Sequence, residues 1–175
     1  MSHYSIKKVT KEDFEKIRLL RNSNLEVLRN NNKLKKKEQD LFITYYFSQL
    51  KSKPIQILFS IFHNDIFIGY GGLVHISHVN KKAEISFLTT KKREKSRFFK
   101  DDFLYFHNYI IKYAFKEIFL NKLSVEVFSF RKKHIKFFKL IGFKIEGMLE
   151  KEVKRGGRYY NSILLAKFRN RIYKK

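Results

Sequence analysis

Ala83-Glu84-Ile85-Ser86-Phe87-Leu88-Thr89-Thr90, the basic run Lys91-Lys92-Arg93-Glu94-Lys95, an apolar-striped stretch, and then Leu123-Ser124-Val125-Glu126-Val127-Phe128 form the succession that decides the fold. The first and last segments are short and rich in β-branched and aromatic residues, as strands are. Between them Phe99, Phe103, Phe106, Ile110, Ala114 and Ile118 recur every three or four residues. That period predicts a helix over roughly residues 96–119 with its stripe in the core. A strand, a helix and a strand make a crossover, so the two strands must run parallel.

Outward from this unit the chain alternates between the two periods. Toward the N-terminus, residues 66–77 read as a strand containing Gly69, Gly71 and Gly72, which predicts a bulge or a close approach to the backbone. His63-Asn64-Asp65 reads as a hairpin turn joining it to a strand over 55–62 that Pro54 introduces. Helices are predicted over 36–50 and 11–23, the latter opened by Thr10 with Asp13 three residues on, after a strand over 4–9. Toward the C-terminus follow a helix over 132–141 ended by Gly142, and a hairpin of strands 145–153 and 159–168 around Gly156-Gly157. The order is β-α-α-β-β-β-α-β-α-β-β. It predicts an α/β (α+β) fold with a mixed, mostly antiparallel sheet and helices on both faces.

With 175 residues, 43% of them apolar, the chain has the size and core of one domain. A single domain over 1–175 with a basic tail at 168–175 is expected. There is no cysteine, which excludes disulfides, thiolate zinc sites and cysteine nucleophiles. No His/Asp/Glu spacing suggests a metal site. The beginning Met1-Ser2-His3-Tyr4 shows no apolar signal segment and no run is long enough to span a bilayer, so a cytoplasmic location is expected. The net charge of +23 admits three readings: a nucleic-acid face, a coding bias that yields solvated lysines, or a handler of polyanionic small molecules. The second and third are compatible with each other, and nucleic acid is not the expected partner.

The element order, together with Ala83-Glu84-Ile85-Ser86-Phe87, Val125-Glu126-Val127 and Ile141-Gly142-Phe143-Lys144-Ile145-Glu146-Gly147, resembles the GNAT acyltransferase fold over nearly the whole chain. More narrowly, Leu20-Arg21-Asn22 and Gly69-Tyr70-Gly71-Gly72-Leu73-Val74-His75-Ile76 look like the branch that acetylates ribosomal-protein N-termini and amino-sugar nucleotides. The resemblance implies acetyl-CoA as co-substrate, no metal, a monomer or homodimer, and acetyl transfer to a primary amine. An amino-sugar nucleotide is the leading acceptor. A protein or peptide N-acetyltransferase and a catalytically silent binding module for nucleic acid or protein are the alternatives.

The resemblance also implies roles for individual residues. Pantetheine would lie beside Phe87, Leu88 and Thr89, and the pyrophosphate at the following helix N-terminus, by Lys95, Ser96, Arg97 and Phe98. The family's glycine-rich pyrophosphate loop is absent, since no glycine occurs between Gly72 and Gly142, so side-chain cations take part of its role. Arg131 is a further CoA contact, and Phe138 stands where relatives often carry a tyrosine that protonates the leaving thiolate. Arg21, Asn22 and Arg29 would line the acceptor pocket, where an arginine fork suits a diphosphate or carboxylate. Glu84, a carboxylate in an apolar strand, is the first candidate for general base, with a purely structural carboxylate as the alternative. His75 is the second. Tyr159 or Tyr160 in the last hairpin is the phenol that replaces the missing one if the hairpin reaches the pocket.

Overall fold

A computed structural model describes residues 3–170. Its seven strands are β1 (Tyr4–Lys8), β2 (Ile57–His63), β3 (Ile66–Ser77), β4 (Lys82–Thr89), β5 (Lys122–Phe128), β6 (Lys144–Arg155) and β7 (Arg158–Phe168). They form one sheet in the order β1-β2-β3-β4-β5-β7-β6, with the β4–β5 pair parallel and every other pair antiparallel. The one parallel pair is the one the crossover demanded.

Helices cover both faces. On one face, α4 (Phe99–Lys112) presses Phe99, Phe103, Phe106 and Ile110 onto Phe59, Ile61, Leu73, Ile85, Leu123 and Val125, all buried. Gly71 permits this approach: a Cβ there would stand 2.5 Å from the Phe106 ring. On the other face, α1 (Asp13–Asn22) and α2 (Lys36–Gln49) bury Phe14, Ile17, Leu20 and Tyr46 against Leu58, Tyr70 and Leu88. The Tyr46 hydroxyl accepts the Leu58 backbone N–H at 3.0 Å, so the ring's polar end is satisfied inside the layer. A short helix α5 (Lys132–Leu140) packs beside α4 and ends before Gly142, whose φ is +86°.

The turns follow their residue chemistry. Asn64 and Asp65 both take positive φ, 49° and 58°, and pair His63 with Ile66 across a two-residue hairpin. Gly156 and Gly157 do the same between β6 and β7. Thr10 and Asp13 bond as expected, the Asp13 carboxylate accepting the Thr10 N–H at 3.1 Å.

One expectation needs correction. The helix predicted over 96–119 starts at Phe99 and is α-helical only to Lys112. Thr90 caps a one-turn helix α3 (Lys91–Lys95) by accepting the Arg93 N–H at 3.3 Å, and Ser96 closes that turn by donating to the Arg93 carbonyl at 2.8 Å. Ser96 therefore ends α3; Phe98 is the residue flanking α4, which itself passes into a π-helical segment, Tyr113–Glu117. The apolar period continues from α4 into the π-helical segment, where Ala114 and Phe115 are buried, whereas α3 buries none of its residues. The glycines of β3 give both the bulge and the close backbone approach that the sequence suggests. One register shift falls where pairing passes from Ile61–Gly69 to Phe62–Phe67, but another lies beyond the glycines, between Val74 and Ser77, where His75 takes φ +51°.

Candidate active site

The β4–β5 ladder is short. Lys82, Ala83 and Glu84 pair with Lys122, Leu123 and Ser124, and there the pairing ends. Beyond it each strand follows its other neighbour: β4 stays on β3 through Thr89, and β5 stays on β7 through Phe128. Because both strands keep one full ladder, they can separate without unravelling the sheet. A cavity of about 310 Å³ opens between them. Its walls are Glu84 to Leu88 of β4, Val125 to Val127 of β5, and Arg131, His134 and Phe138 of α5, under a cover formed by Leu28, Arg29 and Asn30. The backbone of Phe87 and Leu88 thus has a strand on one side and the opening on the other.

Alternation sorts the side chains of β4. Ile85 is buried and Phe87 packs against the rings of Phe103 and Phe106 on the α4 face. Glu84 and Ser86 point to the opposite face, toward α1 and α2. Two residues past its last pairing with β4, strand β5 places Glu126. The Arg29 Nη2 reaches both carboxylates, Glu84 at 2.5 Å and Glu126 at 2.9 Å. Arg29 comes from the segment after a short 3-10 turn, Leu25–Val27, which is itself fastened over the cavity. Arg155 donates to the carbonyls of Glu26 (3.0 Å) and Leu28 (2.6 Å), and Lys91 pairs with Glu26 at 2.9 Å.

A second cavity of about 390 Å³ lies under α1 and α2 and shares Arg21, Val74 and Ser86 with the first. Arg21 donates to the Tyr70 hydroxyl at 2.8 Å at this junction. His75 is exposed and lines the first cavity with Glu84. Asn22, expected in the acceptor pocket, lines neither cavity: its amide clasps Leu34, donating to the carbonyl at 3.0 Å and accepting the N–H at 2.8 Å. Those two bonds fix the loop between the first two helices, so the side chain of Asn22, the last residue of α1, is spent on the loop rather than offered to the cavity.

At the α5 end, Arg131 donates to Glu94 at 3.2 Å and lies 2.6 Å from His134 Nε2, while its own buried Nε has no partner. Burial pulls the Arg131 guanidinium below its ordinary pKa. His134 is pushed down to about 2, first by burial and then by the Arg131 charge, so the ring is neutral at any physiological pH. The basic segment before α4 is divided in its roles. Arg93 is consumed internally, its Nε donating to Asp102 at 2.8 Å and its Nη2 making a second, short bond to the same carboxylate. Lys95 and Arg97 are exposed beside the α4 N-terminus, and Phe98 lies between the Arg93 and Arg97 guanidinium groups, 4.7 and 5.0 Å from its ring. Thr89 is buried against Gly69 and does not line the cavity. Tyr159 and Tyr160 line neither cavity; they lie against Lys154 and Phe130.

The structure therefore brings Arg21, Arg29, His75, Glu84, Phe87, Leu88 and Arg131 to one cavity and leaves Asn22, Thr89, Lys95, Ser96, Arg97 and Phe98 out of its walls. The residue that sequence reading passed over is Glu126. Its signal was the one that singled out Glu84, a lone carboxylate between apolar strand residues, here Val125 and Val127.

A family model described as an acetyltransferase (GNAT) domain matches residues 6–164. No curated protein matches the sequence. Among solved structures, the spermidine N-acetyltransferase of Vibrio cholerae in complex with CoA and spermine is similar, with a TM-score of 0.80 at 18% identity over 95% of both chains. A dodecameric structure of the same enzyme in an intermediate state gives 0.78 at 18% identity, covering 95% of this chain and 94% of that one. At such identity these structures speak to the fold.

Proposed function

The chain belongs to the GNAT acetyltransferase family, and on that premise we propose that it transfers the acetyl group of acetyl-CoA to the primary amine of a small molecule, with Glu84 as the base. The observation that carries this reading is the parting of β4 and β5 at Glu84, which sets a carboxylate at the mouth of a cleft lined by open β4 backbone. The residues present fit the co-substrate. Phe87 and Leu88 offer strand edge along one wall, and Lys95, Arg97 and the first-turn amides of α4 offer positive potential for phosphates where a glycine loop is lacking. Acetyl-CoA supplies the activated acyl thioester.

The remaining chemistry falls to the chain. The acceptor's ammonium first gives up one proton to solvent; Glu84 then holds the free amine and takes its second proton as the N–C bond forms and the C–S bond breaks. The CoA sulfur then takes its proton from solvent, because no tyrosine is among the described residues lining the cleft and His134 stays neutral. Arg131 contributes positive charge at the α5 wall.

The acceptor reading shifts with the geometry. An amino-sugar nucleotide calls for an arginine fork free to take its diphosphate, yet Arg29 is held by two carboxylates and Arg21 by Tyr70. A small cationic amine agrees better with that charge arrangement, and the Vibrio cholerae enzyme of like fold is described as acting on spermidine. The amino-sugar nucleotide is retained as the second reading on the strength of the +23 net charge alone. Calorimetry with acetyl-CoA, with CoA and ADP as controls, followed by acetylation assays on diamines, polyamines and amino-sugar nucleotides, tests both. Micromolar binding, about −8 kcal/mol, and turnover of diamines are expected. Absence of acetyl-CoA binding defeats the enzyme reading, and turnover confined to sugar nucleotides reverses the order of acceptors.

A further inference from the structure

The acetyl-transfer reading needs a base; it does not explain why two carboxylates from two strands converge on one nitrogen. Glu84 and Glu126 stand on the same face of β4 and β5, at the mouth of the cleft, where the strands have just parted. Both contacts run to the same atom, Arg29 Nη2, at 2.5 and 2.9 Å. This is not the parallel fork in which a guanidinium meets one carboxylate through two nitrogens, the geometry that best suits arginine. It is a point-charge arrangement. A primary ammonium, with three donors on one nitrogen, satisfies two bracketing carboxylate oxygens at least as well.

The burial pattern agrees. The carboxylates are the sheltered partners, 22% and 15% exposed, while Arg29 enters from the cover and is 45% exposed. Arg29 is the component that can leave. Its departure does not require the cover to come away, since Leu28 and Glu26 remain fastened by Arg155 and Lys91.

We propose that Glu126 and Arg29 set the acceptor specificity of the transfer reaction: Glu84 and Glu126 together receive the acceptor's ammonium nitrogen, and Arg29 is an internal occupant of that position which the acceptor displaces. The inference rests on the acetyltransferase reading above. It makes Glu126 a binding residue with Glu84, and it makes Arg29 a competitor of the substrate where sequence reading made it a ligand. The chemical class follows. The acceptor presents a primary ammonium with no anionic group beside it, since an adjacent phosphate or carboxylate would face Glu84 and Glu126.

The test is calorimetric binding of 1,4-diaminobutane, n-butylamine and the neutral isostere n-butanol to the wild-type protein, Arg29→Ala and Glu126→Gln. Arg29→Ala should bind both amines at least tenfold more tightly than wild type, Glu126→Gln at least tenfold more weakly, and butanol should not distinguish the three proteins. Circular dichroism of each variant reports folding. Equal or weaker amine binding by folded Arg29→Ala overturns the proposal, as does unchanged binding by Glu126→Gln. No amine binding by any of the three proteins overturns it too. The acetyltransferase reading fails separately, through loss of acetyl-CoA binding in the wild-type protein, whatever the amine titrations show.

Discussion

Two arginine–carboxylate clusters stand about the same sheet, and they have opposite characters. In the first, Asp102 is fully buried, grips Arg93 through both oxygens and accepts the Tyr4 hydroxyl at 2.7 Å. Burial, with the Asp102 bond second, raises the Tyr4 pKa well above its ordinary value, and the Asp102 bond raises that of Arg93. The second cluster brackets one nitrogen of a half-exposed Arg29 between Glu84 and Glu126 beside a cavity. The pairing chemistry is the same, but solvent access differs. A buried carboxylate with every oxygen engaged ties α4 to β1 and to the α3 turn, whereas the half-exposed Arg29 pairs beside a cleft are open to solvent.

Single substitutions should separate the two sharply. Asp102→Ala leaves Arg93 without its counter-charge and Tyr4 without an acceptor, and should cost about 4 kcal/mol in urea unfolding, the range found when one member of a buried pair is removed. A cost below about 1 kcal/mol would remove the contrast. Glu84→Gln should leave unfolding nearly unchanged while turnover falls about a hundredfold at neutral pH, the scale of lost general-base catalysis. Wild-type turnover in that variant would assign Glu84 a structural role.

Arg131 stands between the two extremes, buried like Arg93 but lining the cavity like Arg29, and pH sharpens its position. His134 beside it is pushed down to about 2 from an ordinary 6.5. The unfolded chain therefore takes up a proton near pH 6.5 that the folded chain refuses, so stability is full above that pH and declines as pH falls below it. Between pH 7 and 5 this histidine should account for about 2 kcal/mol of lost stability. A His134→Phe variant should show a urea midpoint that much less sensitive to acid, and an identical slope would mean that His134 is protonated in the fold. The smallest effect belongs to the cluster at the cleft: Arg29→Ala should change unfolding stability by less than about 1 kcal/mol, as expected for a half-exposed pair screened by solvent. A larger loss would place Arg29 among the structural residues with Arg93.

Much of the architecture was legible. The stripe Phe99, Phe103, Phe106 and Ile110 faced the core as its period required, and Asn64-Asp65 made the turn that both residue types tolerate at positive φ. The passage into a π-helical segment at Tyr113 was not legible, because a helical period says which side is buried and says nothing of how the backbone bonds pair. Within the site, Glu84 was found by its contrast with the apolar strand around it. Glu126 carried the same contrast and was passed over because, read alone, a strand carboxylate does not reveal which other strand it will face. Arg29 lines the cavity, but its charge, read as available, is paired with two carboxylates in the fold.

The sequence by itself determined the alternation of strand and helix, the crossover that makes one strand pair parallel, the membership of Glu84 and Ser86 on one face of β4, and the exclusion of cysteine chemistry. These follow from local periods and residue types, which act within a few positions along the chain. Only the tertiary structure decided that β4 and β5 part after Glu84, that Glu126 then meets it across the gap, and that Arg29, 55 residues before Glu84, occupies the point between them. Such convergence depends on the register between distant strands and on where a loop is fastened, and neither quantity is written in any short stretch of sequence.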